Sequence, residues 1–373
     1  MSEHQPLYLM LYHSLHDRIT GGEYSKGEKL PTEKELAEQF GVSNITSKKA
    51  LELLAKDGFI QRIPGKGSFV LKLSDEEPKA AGPKPGTLLI GVVVADFMES
   101  YGTDLLSGIE EEASANGCFI VPIRTHGSQK LEDEAIDSLI DMGIDGIIVI
   151  PVHGESYNPK ILKLILDGFP IVLMDCDLKG IPNAFVGTEN KSAAKMATDY
   201  LLKQGHRNIG ILSSPLSGTV ALEDRVEGFI MSHAEHGVKV NESIWETSLI
   251  SSMPGMWTQS NIEADRVKMN RMFLQHPEIT CLFVTEYNLA ELTLQTIRSL
   301  HKSVPEDISI LCFDGPFNYF GNYFFTHIRQ KEKQIGSTAV RLVLEQLAGD
   351  HEVKKIYLDA ALVIGKSVKS IKT

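Results

Sequence analysis

Short apolar segments alternate with amphipathic ones along most of this chain, from Leu88 onwards. The segment "LLIGVVVA" precedes "LLSGIEEEASANG", and further apolar segments follow at "GIIVIP", "IVLMD", "NIGILS", "CLFVTE" and "SILCFD". Continuous Val, Ile and Leu segments separated by helices are typical of parallel strands that are covered on both faces. Because these units extend over residues 88–373, they predict two parallel sheets and therefore a two-lobed α/β domain.

The charge of the chain is unevenly distributed. The 373 residues carry a formal net charge of −12, with 37 Lys and Arg against 49 Asp and Glu. Residues 1–73 hold ten of these basic residues and nine of the acidic ones, which leaves 27 against 40 in residues 74–373. Between Ser43 and Lys72, six basic residues stand against Glu52 and Asp57. A basic segment on an acidic body indicates a module that binds a polyanion, although a solvated helix face can have the same composition.

Residues 1–73 predict three helices followed by a β-hairpin. "PLYLMLYHSLHDRI" spaces its apolar residues at helical intervals, a capping box of Thr32 and Glu35 opens a second helix, and Ser43 caps a third. "FIQRI" and "SFVLKL" alternate apolar and polar residues around "PGKG", as a hairpin does. Two helices joined by a short turn that contains Gly form a helix-turn-helix, and the second helix of that motif enters the major groove of DNA.

Polar side chains at the start of the third helix suit contact with DNA. An amide such as that of Asn44 can pair with an adenine edge, hydroxyls can contact bases or phosphates, and lysines mainly contact phosphates. Glycines in the hairpin would let its backbone approach DNA closely. "GKGS" is not a phosphate-binding loop, because no glycine precedes it at the required spacing and a strand follows it. This reasoning predicts DNA contacts at Ser43, Asn44, Thr46, Lys48, Lys49, Gly65, Lys66 and Gly67.

Residues 6–73 resemble the winged helix-turn-helix of the GntR family of bacterial repressors. The resemblance is carried by "KLPTEKELAEQFGVS", "KALELLAKDGFI" and "GKGSFV". It implies a further DNA contact at Lys34. The family often has Arg at the positions of Asn44 and Lys48, so an operator other than the commonest one is expected.

A linker is predicted after this region. "SDEEPKAAGPKPGT", residues 74–87, is rich in charge, Pro and Gly and has no apolar periodicity. The predicted organisation is therefore a DNA-binding domain at 1–73, a linker at 74–87 and an effector-binding and dimerisation domain at 88–373.

Carboxylates follow several predicted strands of the larger domain. Ligands of open α/β folds lie beyond the carboxyl ends of the strands. Carboxylates that converge there could accept hydrogen bonds from sugar hydroxyls, and an arginine could donate to ring or hydroxyl oxygens. Tyr101 or Trp257 could stack on a sugar face. The strand-end carboxylates are Asp96, Asp175, Glu286 and Asp314, and the arginine is Arg225.

Residues 88–373 resemble the effector-binding domain of the LacI/GalR repressors, which is similar to periplasmic sugar-binding proteins. The motifs are "GIDGIIVIP", "LLKQGHRNIGIL", "VPEDISILCFDG" and "THIRQKEKQIG". Glu286-Tyr287 replaces the usual Asn-Asp of the family, and Gly315 replaces a frequent Asp, so the identity of the sugar stays open. The resemblance implies effector contacts at Tyr101, Gly102, Asp175, Arg225, Glu286, Asp314 and Glu332.

The order of the two domains is similar to that of the arabinose repressors of Gram-positive bacteria. It implies a homodimeric repressor of carbohydrate-utilisation genes that binds double-stranded operator DNA and is released by a sugar, with L-arabinose first. Another pentose or hexose, a sugar acid, a nucleoside and an activator role stay open. A sugar-processing enzyme is least expected, since no nucleophile elbow, triad or His-Glu metal signature is present. We expect no cofactor, no metal and no membrane association. Four scattered cysteines and the lack of a signal peptide indicate a cytoplasmic protein.

Overall fold

The computed structural model describes residues 6–71, 87–152, 158–316, 318, 320–350 and 352–372. The chain forms two compact units, Met1–Lys84 and Pro85–Thr373, so the division falls inside the expected linker. Residues 74–86 of that linker lie outside the described residues. Within the described ranges, no helix is long and apolar enough to cross a membrane.

The first unit is a winged helix-turn-helix, as predicted. Thr32 and Glu35 form the expected capping box at the second helix, and the Ser43 side chain accepts from the backbone N–H of Thr46 at the third. The two strands pair antiparallel, with Ile63 opposite Gly67. The elements are α1 (Leu7–Thr20), α2 (Glu33–Phe40), α3 (Asn44–Lys56), β1 (Ile60–Ile63) and β2 (Gly67–Val70).

One apolar core holds the first unit together. Leu11, Leu15 and Ile19 form the buried face of α1 and pack in one cluster with Leu51 and Leu54 of α3. Leu7 and Met10 also lie on α1, and both are exposed. Ser47 fixes the orientation of α3, because its hydroxyl donates to the Glu33 carbonyl at the start of α2 over 2.7 Å.

The second unit contains two six-stranded sheets, which confirms the predicted two-lobed α/β class. All pairings within the two sheets are parallel with one exception: the strand nearest the C-terminus pairs antiparallel with its neighbour at one edge of the second sheet. The first sheet has the order β13-β7-β6-β5-β3-β4, with β3 (Leu89–Val94), β4 (Phe119–Arg124), β5 (Gly146–Val149), β6 (Ile171–Met174), β7 (Ala184–Thr188) and β13 (Lys355–Leu358). The second has the order β14-β12-β11-β10-β8-β9, with β8 (Ile209–Leu212), β9 (Trp245–Glu246), β10 (Cys281–Val284), β11 (Ser309–Phe313), β12 (Thr326–Arg329) and β14 (Ala361–Val363).

Helices cover both faces of each sheet, and apolar clusters fill the space between. The first lobe comprises the first sheet with α4 (Thr103–Ala115), α5 (Gln129–Met142), α6 (Pro159–Leu166) and α11 (Glu332–Leu347). The second lobe comprises the second sheet with α7 (Asn190–Lys203), α8 (Val220–Glu235), α9 (Gln259–Gln275) and α10 (Tyr287–Ser299). The chain therefore passes between the lobes after β7, after β12 and after β13. The four cysteines are free and buried.

Candidate functional site

A cavity of about 210 Å³ lies where the two lobes face each other. Its walls come from the loops that follow the carboxyl ends of strands in both lobes, which is where open α/β sheets bind ligands. The first lobe contributes Asp96, Tyr101, Gly102, Ile150 and Asp175. The second contributes Ser214, Thr219, Arg225, Ser252, Glu286 and Asp314, together with Gln330 at a crossing between the lobes.

Two of the predicted carboxylates occupy equivalent places in the two lobes. Asp175 follows β6 and Asp314 follows β11, and both have a positive φ, 62° and 65°. A non-glycine residue in this region carries a conformational cost, and such residues cluster at ligand sites. This backbone turns both carboxylates away from their sheets and into one cavity.

Two polar atoms in the cavity wall lack partners. Oδ1 of Asp175 and the hydroxyl of Tyr101 are buried and make no hydrogen bond within the described part of the chain. Burial raises the pKa of Tyr101 well above its usual range, as do the charges of Asp175 and Asp314 and the proximity of the Asp175 carboxylate as a hydrogen-bond acceptor, so the phenol is a neutral donor. Because unpaired buried polar atoms are costly, these two are suited to a bound ligand.

Arg225 is held rigidly over an aromatic ring. Its Nε donates to Asn190 Oδ1 over 2.8 Å, and its Nη1 donates to the Thr285 carbonyl over 2.6 Å. The guanidinium carbon lies 3.9 Å from the centre of the Phe313 ring. These contacts use two of the three nitrogens, so Nη2 is available to donate to a ligand in a fixed direction.

The second-lobe carboxyl groups are crowded. Burial raises the pKa of Glu286 to about 7, against the opposing effects of a hydrogen bond from Ser252 and the charge of Arg225. Burial likewise raises the pKa of Asp314 to about 6, although Arg225 and a hydrogen bond from Gln330 lower it. The two groups therefore change charge near neutral pH, and each accepts one hydrogen bond from the protein: from Ser252 Oγ over 2.5 Å and from Gln330 Nε2 over 2.8 Å.

The structure brings six of the seven predicted effector contacts into the cavity wall, and Glu332 has a different contact. Glu332 Oε2 accepts from the backbone N–H of Gly102 over 2.7 Å. Burial raises its pKa to about 8. Glu332 thus holds the Gly102 loop in place, and its direct contact with an effector stays a prediction.

Other cavity residues were missed at the sequence level. Gln330 follows β12, so the strand-end rule could have found it, whereas Ser252 follows a strand of only two residues. Trp257, considered as a stacking residue, is half exposed and lies outside the cavity wall, and Tyr287 supplies an aromatic wall instead.

The lobes touch at the rim of the cavity. Lys179 of the first lobe forms an ion pair of 2.7 Å with Glu223 of the second. On another side, the turn at His126-Gly127 abuts the turn at Pro254-Gly255. A Cβ atom added to Gly255 would lie 2.5 Å from the carbonyl oxygen of His126, and one added to Gly127 would lie 2.8 Å from that of Pro254. Glycine at both turns therefore allows the lobes to approach this closely.

The first unit presents an exposed basic surface. Lys34, Asn44, Lys48 and Lys66 are exposed, as is Lys49, whose ammonium lies 3.8 Å from the centre of the Tyr8 ring. The Ser43 and Thr46 hydroxyls bond each other over 2.9 Å while Ser43 caps α3. The DNA-contacting roles of these residues stay predictions.

The backbone conformation at the tip of the hairpin accounts for its two glycines. The N–H of Lys66 donates to the carbonyl of Ile63 over 3.0 Å, and Gly65 has a φ of 75°. Pro followed by Gly with positive φ is the signature of a type II turn. Gly67 has a φ of 121°, and a Cβ there would meet the Lys29 side chain at 2.5 Å. The positive φ values favour glycine at both positions, because the Lys29 side chain is flexible enough to move aside, and close approach to DNA is a separate prediction.

Comparison with known proteins places the two units in known families. Residues 7–70 match the model of the gntR family of bacterial regulatory proteins, and residues 198–368 match that of the periplasmic binding protein-like domain. Within the described residues, no group of three or more His, Cys, Asp or Glu side chains could hold a metal ion.

Relatives match over nearly the full length. The chain is 30% identical to an arabinose metabolism transcriptional repressor of Geobacillus stearothermophilus, over 98% of both chains. It is 25% identical to another of that name from Halalkalibacterium halodurans, over 85% of this chain and 82% of that relative. The crystal structure of the transcription regulator CcpA of Lactococcus lactis has the same fold over 76% of this chain and 100% of its own, with a TM-score of 0.65 and 20% identity.

The rim geometry generates a first prediction. Gly255→Ala should weaken binding of a ligand in the cavity by about tenfold or more, because the added methyl group forces the lobes apart. Gly237→Ala is the matched control, since Gly237 also has a positive φ but has nothing within 4 Å of its Cβ position. Calorimetric titration of both variants measures the effect, and equal affinities would show that the rim contact is irrelevant to binding.

The raised pKa of Glu286 generates a second prediction. Between about pH 4.5 and pH 7 the folded chain holds a proton here that the unfolded chain releases, so the free energy of unfolding falls as pH rises. The difference in free energy of unfolding between Glu286→Gln and the unsubstituted protein should therefore grow in favour of the variant by about 1–3 kcal/mol as the pH rises from 5 to 8. Thermal unfolding without ligand measures this difference, with the exposed Glu110→Gln as control. A stability difference between the two proteins that does not change with pH would contradict a raised pKa at Glu286.

Proposed function

Because this chain belongs to the gntR family of bacterial regulatory proteins, in the group that carries a periplasmic binding protein-like domain, we propose that it is a transcriptional repressor released from its operator by a small neutral sugar. The observation that carries the proposal is the cavity between the lobes, which carboxylates from both lobes line together with Arg225. We infer that the target genes serve carbohydrate utilisation and that the protein acts in the cytoplasm, where the operator is.

The chemistry of the cavity favours a polyhydroxylated ligand. Asp175 and Asp314 can accept hydroxyl donors, while Arg225 and the phenol of Tyr101 can donate to hydroxyl or ring oxygens. Met98, Leu222, Met253 and Pro254 line other parts of the wall and suit the C–H face of a sugar ring. A volume of about 210 Å³ favours a monosaccharide over a longer saccharide.

Charge argues against an anionic effector. Asp96 is paired with Arg124 over 3.0 Å, while Asp175, Glu286 and Asp314 share the cavity wall with the guanidinium of Arg225. Above the raised pKa values of Glu286 and Asp314, a sugar acid or a sugar phosphate would therefore meet net repulsion in a partly buried site. A nucleoside and other neutral pentoses and hexoses satisfy the charge argument as L-arabinose does. L-Arabinose is our leading effector, since the 30% identical relative is named for arabinose metabolism.

Repression requires that sugar and operator favour different states of the protein. We propose a homodimer, in which two winged units read half-sites related by two-fold symmetry. A sugar releases the operator only through its difference in affinity for the two states. Activation is the alternative role. The relatives are named transcription regulators and repressors, not enzymes.

A thermal-shift screen against neutral sugars, sugar acids and sugar phosphates tests the ligand class. A ligand at 100 times its dissociation constant stabilises the folded state by about 2.7 kcal/mol. We expect stabilisation by a neutral monosaccharide, with L-arabinose first. Stabilisation by anionic compounds alone would overturn the proposal.

Asp175→Asn is expected to weaken sugar binding by about tenfold to a hundredfold, through loss of charge-assisted hydrogen bonds. Asn tolerates the positive φ at this position, so the backbone is preserved. Operator affinity without sugar should stay unchanged. Asp141→Asn, at an exposed position of the same lobe, is the control. If Asp175→Asn reduced operator affinity but not sugar affinity, Asp175 would not be an effector ligand.

Two substitutions in the first unit should separate base reading from phosphate contact. Asn44→Ala should reduce discrimination at one operator base pair by about 1–3 kcal/mol. Lys66→Ala should weaken binding to all sequences. It should also lower the slope of log affinity against log salt concentration by about one in magnitude. Fluorescence anisotropy with operator and scrambled DNA distinguishes the two. Equal loss on every sequence in both variants would remove Asn44 from base reading.

A further inference from the structure

The most exposed large apolar side chain in the described part of the first unit lies at the start of α3. Ile45 is 80% exposed, compared with 59% for Leu7, 54% for Met10 and 43% for Leu71. Isoleucine lowers helix propensity slightly, and at this exposure it contributes little to packing. Folding of the first unit therefore gives no reason for an isoleucine here.

The direction of Ile45 is fixed by the core. The buried face of α3 consists of Ser47, Ala50, Leu51 and Leu54. At about 100° per residue, Ile45 points about 160° away from Ser47 and about 180° away from Leu54. It thus lies on the face opposite the core, at the end of α3 that a helix-turn-helix inserts into the major groove.

The surroundings of Ile45 are basic and polar. On the helix, Lys48 and Lys49 lie within about 60° of it on either side, and Asn44 precedes it. All three are exposed. This charge complements the phosphates that border a DNA groove, which argues against an apolar protein partner for this face.

We propose that Ile45 reads a thymine in each operator half-site through contact with the C5-methyl group. In the major groove this methyl group is the apolar feature that marks one base pair among four. An isoleucine between two lysines would recognise it by shape and by exclusion of water, while the lysines hold the phosphates. The inference rests on the proposed function, because it requires an operator.

The test replaces thymines by deoxyuridine, which removes the methyl group and keeps the hydrogen-bonding groups. The operator is first selected from random duplexes with the full chain. For the unsubstituted protein, deoxyuridine at the contacted thymine should weaken binding about fourfold for each half-site that is substituted, the value of one buried methyl group. Ile45→Ala should weaken binding to the thymine operator by a similar factor and should be indifferent to deoxyuridine at that position. Ile45→Val should keep most of the sensitivity.

Controls separate this effect from others. Met10→Ala removes an exposed apolar side chain from α1 and should keep the full deoxyuridine penalty. The proposal is overturned if no thymine is sensitive in the unsubstituted protein, or if Ile45→Ala keeps the same penalty. It is also overturned if Ile45→Ala changes the mass of the protein in solution, since Ile45 would then belong to an interface between copies. Failure to enrich any sequence would instead refute the proposed function.

Discussion

The partial burial of several carboxylates in one cavity, two of them beside the guanidinium of Arg225, is the interaction on which the effector site depends. Removing an ionised carboxylate from water is costly unless hydrogen bonds replace its hydration. Glu286 and Asp314 each accept one such bond from the protein, and Asp175 Oδ1 accepts none within the described residues. Sugar hydroxyls could donate the missing hydrogen bonds to these carboxylates without adding charge. The same carboxylates that bind a neutral polyol would therefore repel an anion, so selectivity and affinity have one physical origin.

Buried carboxylates also hold the cavity loops in place. Glu132 on α5 accepts from the backbone N–H of Val152 over 2.7 Å, and Glu332 on α11 accepts from that of Gly102. Asp265 on α9 accepts from the backbone of the loop at residues 250–251, directly before Ser252. Each loop is thus tied to a helix before a ligand arrives, which reduces the entropy lost on binding. This arrangement explains why a rigid cavity can be built from segments without regular secondary structure.

Sequence patterns predicted the fold class and much of the site, because both follow local rules. Strand-end carboxylates such as Asp175 and Asp314 converge whenever parallel strands share an edge, and capping residues mark helix starts. Contacts that depend on the distance between lobes could not be predicted in this way. The glycine turns at Gly127 and Gly255 are far apart in sequence and matter only because their backbones meet. Glu332 was expected to touch the effector, which stays a prediction, and nothing local in the sequence indicates that it also holds the Gly102 loop.

The central claim is that sugar binding between the lobes controls the affinity of the winged unit for DNA. Anisotropy titration of labelled operator, with and without the saturating sugar found by thermal shift, tests it most directly. A coupling of the usual size changes affinity by about 5–150-fold, so we predict that the operator dissociation constant rises by at least about fivefold with a neutral monosaccharide. Calorimetric binding of that sugar with no change in operator affinity would contradict the account.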